Sequence, residues 1–294
     1  MPLLLTAALA AFILSVSDLP SVAHHIRGLS ATTVLSAVGL AIFYLILRAI
    51  QLHLLLEGLR IRSTWKEMIL ALAVGEMAIT IPAGEYAQNW VLRRLENTDF
   101  SRSSAATTAM MFSVGVVGLS TLAILGIPGL GLLRPVIFGI FGAALLIIVL
   151  TTVGPVGQAA ARVMRSGPLG QAGPELLELL EGLRTLFNPT VISRLIPLTT
   201  IHLVSLLAAF YIVAHGVGVT ELTAVQAVTV YLFAITIGFV EAGGLRAMEG
   251  WGYSPEQALA VLLAFRVIWT GSIWLICGLV VFLLRGELSH QPAA

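Results

Sequence analysis

Eight apolar runs fill most of this chain, at about residues 2–17, 31–56, 67–83, 104–125, 134–153, 191–215, 222–240 and 255–284. Most reach the ~20 residues that an α-helix needs to cross ~30 Å of hydrocarbon. A backbone in lipid has no water to bond, so runs of this length are helices whose N–H and C=O groups satisfy each other. With 58% hydrophobic and 11% charged residues and a mean hydropathy of +0.98, no soluble fold could hide the apolar surface. The sequence therefore predicts an all-α polytopic membrane protein, a single transmembrane domain over residues 1–294.

Two of the runs are not plain spans. The run at 67–83 carries Glu67 and Glu76 and stops at Pro82, and the run at 222–240 stops at Gly238. Their ends repeat each other: Ala78-Ile79-Thr80-Ile81-Pro82-Ala83-Gly84-Glu85 aligns without gaps with Ala234-Ile235-Thr236-Ile237-Gly238-Phe239-Val240-Glu241, five of the eight positions being identical. Apolar matches are cheap in so hydrophobic a chain, whereas a shared carboxylate just past a helix break is not. Interrupted segments at corresponding places in two halves of a membrane protein point to a transport site. Each break is followed by an amphipathic stretch, Glu85 to Leu95 and Glu241 to Trp251. Both are read as re-entrant helical hairpins, which leaves six transmembrane helices.

Charge placement orients the chain. With six spans and two hairpins, Arg60, Arg62, Lys66, Arg93, Arg94, Arg102, Arg162, Arg165, Arg184 and Arg285 collect on one side, against Arg27, Arg134 and Arg246 on the other. The positive-inside rule makes the first side cytoplasmic, with both termini there. Three spans between the hairpins bring them in from opposite faces, so a direct sequence repeat becomes an inverted-topology repeat. The halves are about 31–153 and 190–284, joined by a cytoplasmic linker and interfacial helix at 154–189. In that helix Glu175, Glu178, Glu181 and Arg184 recur every third residue, with Leu176, Leu179, Leu180 and Leu183 on the remaining face. The first run has a small-x-small sequence after it, Ser21-Val22-Ala23, but no Lys or Arg before it, and is read as a retained helix.

Composition removes several function classes. Net charge is +1 with no basic run, so nucleic acid is not an expected partner. Asp18 and Asp99 are the only aspartates and Cys277 the only cysteine. That leaves no Asp-rich Mg²⁺ motif, no Cys-based metal site and no internal disulfide. No Gly-x-Ser-x-Gly elbow, His-Glu-x-x-His helix or phosphate-binding P-loop occurs, so neither metal, cofactor nor ATP is expected, and the chain is not expected to be an enzyme.

What remains is charge at membrane depth. Arg48 lies inside the second run and Arg266 inside the last, and the expected partners are Glu85 and Glu241. Two readings stand at this point: buried ion pairs that lock the hairpins, or a polar cavity that accepts a charged headgroup. Half-helices starting at Pro82-Ala83-Gly84 and at Gly238 would point N–H groups and a positive partial charge toward the midplane, where they could hold an anion such as a lipid phosphate. Thr80 and Thr236 could donate hydroxyls there or bond their own backbone. Tyr86, Gln88, Asn89, Trp90 and Trp251 beside the breaks fit interfacial anchors.

These residues resemble the transmembrane region of lysylphosphatidylglycerol synthases and related stand-alone flippase-like membrane proteins. The resemblance rests on Leu47-Arg48-Ala49-Ile50-Gln51 through Leu56, on Pro82-Ala83-Gly84-Glu85 and Gly238-Phe239-Val240-Glu241, and on Gly252-Tyr253-Ser254-Pro255-Glu256-Gln257-Ala258 leading to Arg266. It implies an eight-segment inverted-repeat fold and movement of a phospholipid or similar amphiphile between leaflets. An arginine of the family pattern stands here as Gln88. Some short relatives are associated with hopanoid synthesis, which makes a hopanoid or other isoprenoid lipid a cargo the resemblance suggests. The functional expectation is a lipid translocase of the bacterial cytoplasmic membrane working without ATP. Its substrate-binding residues would be Arg48, Thr80, Pro82, Gly84, Glu85, Gln88, Thr236, Gly238, Glu241 and Arg266. The alternative is a non-transporting scaffold for a lipid-biosynthesis enzyme. Membrane lipids are the expected partners, with such an enzyme or a second copy of the chain as the protein partners these readings admit.

Overall fold

The computed structural model describes residues 26–79, 83–96, 98–125, 172–237 and 240–289, together with 139 and 142. Four helices among them are long and apolar enough to cross a membrane: α1 (Ala31–Gly58), α4 (Phe100–Leu125), α6 (Pro189–Gly216) and α9 (Pro255–Ser289, apolar to Gly286). The expected spans at 2–17 and 134–153 lie outside the described residues. Two pairs of short helices complete the set. In the first, α2 (Trp65–Ala78) packs on α3 (Ala87–Glu96), with a 3₁₀ turn at Gly84–Tyr86 between them; in the second, α7 (Ala224–Ile237) packs on α8 (Val240–Gly250). A further helix, α5 (Ala172–Leu186), precedes α6.

The leading helix of each pair has 14 residues. At ~1.5 Å per residue this is about 21 Å, short of the ~30 Å hydrocarbon layer. Both open on the same device. Thr64 Oγ1 accepts from the Glu67 amide while Glu67 Oε2 accepts from the Thr64 amide (3.4 and 2.9 Å), and Thr223 and Gln226 do the same for α7 (3.3 and 2.9 Å). Ser254 and Gln257 repeat it at α9, whose first residue is Pro255, a position where the missing N–H costs nothing. Helix exits are equally regular. After α1, α6 and α8 the chain turns through a left-handed residue, Arg60, Gly218 and Gly252, with Ile61 N–H bonding Leu56 O, Val219 N–H bonding Ala214 O, and Tyr253 N–H bonding Met248 O. Arg60 holds this conformation without being glycine, and Arg102 Nη2 bonds the neighbouring Leu59 carbonyl at 2.7 Å.

The described chain forms two compact units. The first takes residues 44–117, 172–203 and 273–289 and contains the α2–α3 pair. Its core is Leu52, Leu55, Leu56 and Leu59 of α1, Met68, Leu70, Ala71 and Leu72 of α2, Leu92 of α3, Ala105, Ala106 and Met110 of α4, and Leu183 and Leu186 of α5. The acidic residues Glu175, Glu178 and Glu181 of α5 face outward, as their spacing predicts. Its seam differs from the expected one. Leu177, Leu183 and Leu186 are buried and Leu176 is exposed. The seam rotates because Gly182 lies against α4, where an added Cβ would meet Ala105 Cβ at 2.7 Å. The second unit takes residues 26–43, 118–125 and 204–272 and contains the α7–α8 pair. Phe210 of α6, Tyr231 of α7 and Phe265 of α9 pack with all three ring pairs 5.3 Å apart, and Trp269 stacks on Phe265. Gly244 seats α8 against Leu262 of α9.

The contact at Gly182 is a direct test of how α5 is held. We expect Gly182→Val to lower unfolding stability by about 1–3 kcal/mol through overpacking, and Glu178→Ala, on the outward face, to change it by less than about 0.5 kcal/mol. Denaturant or thermal unfolding of the purified variants measures both.

Candidate functional site

A charged cluster sits in the first unit. Arg48 of α1 is 4% exposed and Glu76 of α2 is 1% exposed. Arg48 Nε donates to Glu76 Oε1 at 2.7 Å, and Tyr44 Oη, one helical turn before Arg48, donates to Glu76 Oε2 at 3.4 Å. Both oxygens of Glu76 are thus engaged. This corrects the expected partnership: Arg48 pairs with Glu76, inside the apolar run, and not with Glu85 past the break. Sequence reasoning missed Glu76 as a partner although the signal was there, a carboxylate within apolar residues 67–83 and an arginine in the neighbouring run.

Glu85 stands beside this pair. It lies in the 3₁₀ turn, half-buried, near enough to Arg48 and Glu76 for its charge to act on both. Its Oε2 is fully buried and finds no hydrogen-bond partner among the described residues. Arg48 likewise makes only the one hydrogen bond through Nε among the described residues, so the Nη1/Nη2 edge of its guanidinium is uncommitted. The cluster holds one cation and two carboxylates.

Backbone geometry puts Glu85 there. The break spans the residues between Ala78 and Ala87, with Ala83 in the left-handed region at φ 61°. Gly84 follows with no room for a side chain, since a Cβ would fall 1.8 Å from the Ala78 carbonyl oxygen. Gly75 admits the turn from the other side, with Gln88 Cβ at 3.1 Å and the Glu85 carbonyl oxygen at 3.3 Å from the place a Cβ would occupy. The expected half-helix therefore begins with a 3₁₀ turn, and regular α-helix starts only at Ala87.

Gln88 and Asn89 are buried and are not interfacial anchors. Gln88 Nε2 donates to Thr107 Oγ1 (2.6 Å), Thr107 Oγ1 donates to Asn89 Oδ1 (3.0 Å), and Asn89 Nδ2 donates to Ser104 Oγ (3.3 Å). Tyr86 Oη bonds Thr108 Oγ1 at 2.9 Å. These bonds clamp α3 to α4 and fix the turn that carries Glu85. Trp90 does suit an anchor: it is exposed, with the Arg94 guanidinium over its ring.

A second polar group neighbours Arg48 along α1. Gln51 Nε2 donates to Thr199 Oγ1 of α6 (2.9 Å), and Thr199 lies 2.9 Å from Ser113 Oγ of α4, which itself donates to Met110 O. His202 of α6 meets Tyr44 edge-on at 4.7 Å between ring centroids. Gln51 stood in a family-like motif without a role, and Ser113 and Thr199 were not singled out in sequence, because isolated polar residues in apolar runs carry no spacing signature.

Of the other expected site residues, Thr80, Pro82 and Gly238 lie outside the described residues. Thr236 lies in the last turn of α7 and Glu241 in the first turn of α8; their backbone is helical and their side chains lie outside the description. Arg266 is on an exposed face of α9 in the second unit, which corrects its expected burial, and its charge reaches Tyr231.

The model of the lysylphosphatidylglycerol synthase transmembrane region matches residues 2–278. The chain belongs to this family. No curated protein and no solved structure matches it. Membership places the chain among lipid-related membrane proteins, and the Arg48–Glu76–Glu85 cluster belongs to that membrane region.

Removing one member of a buried ion pair orphans the other. We expect Glu76→Gln to cost about 3–5 kcal/mol, and Arg48→Met combined with Glu76→Leu to recover most of it, because paired apolar replacements leave no naked charge. Unfolding midpoints of the two variants in detergent give the comparison. Gly84→Ala should be as damaging as Glu76→Gln, since its Cβ has nowhere to go, and the same measurement reads it.

Proposed function

We propose that this protein is a flippase-like lipid translocase, not an enzyme, that moves a phospholipid or isoprenoid-type lipid between leaflets without ATP. The observation that carries the reading is the uncommitted Nη1/Nη2 edge of Arg48, a buried planar fork of N–H donors beside a helix break. A desolvated guanidinium is the side chain best suited to a phosphate oxygen pair, and it would rarely be left half-used at membrane depth for packing alone. Gly84, Glu85 and Gln88 shape the site around it, with Thr80 and Pro82 at the same break. In sequence, Thr236, Gly238 and Glu241 are its counterparts at the second break. The lengths of α2 and α7 support two re-entrant hairpins, and with the spans that hydropathy predicts at 2–17 and 134–153 the proposed topology is six helices plus two hairpins, inverted about the midplane. The arginine asymmetry supports a bacterial cytoplasmic membrane location with both termini inside.

The second reading, an accessory scaffold for a lipid-synthesis enzyme, draws on the outward acidic face of α5 at Glu175, Glu178 and Glu181. Leaflet exchange separates the two. In liposomes carrying labelled phospholipids or hopanoids, we expect the wild-type protein to exchange at least one lipid class without nucleotide. Arg48→Lys, which keeps the charge on Glu76 but loses the planar fork, should be slower by about tenfold or more. Exchange equal to that of empty vesicles across the panel would leave the scaffold reading.

A further inference from the structure

The charge inventory around Arg48 constrains what can bind there. Glu76 takes the Nε edge of Arg48 and has both oxygens engaged, so the formal charges of the pair balance and Glu76 has no oxygen left for a ligand. Glu85 then carries the excess negative charge, with a buried oxygen that no described group satisfies. An anionic headgroup docking on the free edge of Arg48 would add a second negative charge beside it. Two like charges in a dry site cannot both stay ionised.

We propose that Glu85 is a proton site coupled to the anion site, so that one proton is taken up at its carboxylate as one phosphodiester headgroup binds Arg48. A proton from water adds to the Glu85 carboxylate to give the neutral acid when the anion docks, and returns to water when it leaves. The inference rests on the translocase reading and deepens it by naming the co-bound ion. Arg48 and Glu76 act on Glu85 directly, Tyr86 is in its own turn, and the other titratable groups of the cluster are Tyr44 of α1 and His202 of α6 beside Arg48, and Cys277 of α9 beside Glu76. Glu76 has both oxygens bonded to donors, Tyr86 is bonded to Thr108, and among the described residues only Glu85 combines a carboxylate with an unsatisfied buried oxygen.

The test is calorimetric binding of dihexanoyl-phosphatidylmethanol, a phosphodiester whose own charge is fixed over the pH range used, to the full chain in detergent. Above the ionisation of Glu85, affinity should fall tenfold per pH unit, the linkage slope for one proton, with matching proton uptake in buffers of different ionisation enthalpy. Glu85→Gln should bind with the wild-type low-pH affinity at every pH and without proton uptake. His202→Gln should keep the wild-type slope. Infrared difference spectra of the wild type, which need no variant to fold, should gain a protonated-carboxyl band on binding. Binding without pH slope or without that band overturns the proton site and leaves the translocase reading intact. A slope that persists in Glu85→Gln, or vanishes in His202→Gln, overturns the assignment to Glu85. No binding at any pH overturns the anion site and, with it, this inference.

Discussion

The buried pair of Arg48 and Glu76 is the interaction on which the first unit turns. In lipid there is no water to take over a charge that loses its partner, so the pair fixes where α1 and α2 meet before any apolar packing is considered. Once those two helices are in register, Tyr44 reaches the second oxygen of Glu76 and Leu52, Leu55 and Leu56 fall against Met68, Leu70 and Leu72. The price is that the charges are useful only as a pair. A closed Arg–Glu contact would be mere architecture, and it is the engagement of a single guanidinium edge that leaves room for chemistry.

Polar satisfaction organises the rest in the same way. Helix starts are closed by side chains of the residue before the helix and the one three further on, at Thr64, Thr223 and Ser254, and helix ends by left-handed turns at Arg60, Gly218 and Gly252. Short helices gain most from this, because a 14-residue helix has a large share of its N–H and C=O groups at its ends. Between α3 and α4 the Gln88–Thr107–Asn89–Ser104 chain supplies hydrogen bonds that water would supply to a surface helix.

The sequence made the long spans and the two interrupted segments legible, because hydropathy over twenty residues and a Pro or Gly before a glutamate are strong, local signals. The family followed from short motifs at those same places. Pairing was not legible. Arg48 could be matched with any of three membrane-depth glutamates, and choosing Glu76 requires knowing that α2 shares a core with α1 and brings Glu76 to Arg48. The amphipathic face of α5 was readable from its charges, but its seam was set by one close contact, Gly182 on Ala105, which no periodicity announces. Gln88 and Asn89 looked interfacial by residue type, and only the neighbouring hydroxyls of α4 turn them into buried clamps.

The aligned breaks are not copies in structure. Gly84 aligns with Val240 and Glu85 with Glu241, yet the first pair of residues lies in a 3₁₀ turn and the second opens a regular α-helix. The Ala78 carbonyl leaves Gly84 no space for a Cβ, so a valine at the equivalent place cannot adopt the same turn. In the second segment α7 runs to Ile237 and α8 begins at Val240, whereas α2 ends at Ala78, the partner of Ala234. The aligned Gly-Glu and Val-Glu residues thus sit in a 3₁₀ turn in one half and at the start of an α-helix in the other. Gly84 alone is barred from the second geometry by nothing in its chemistry, while Val240 is barred from the first by its side chain.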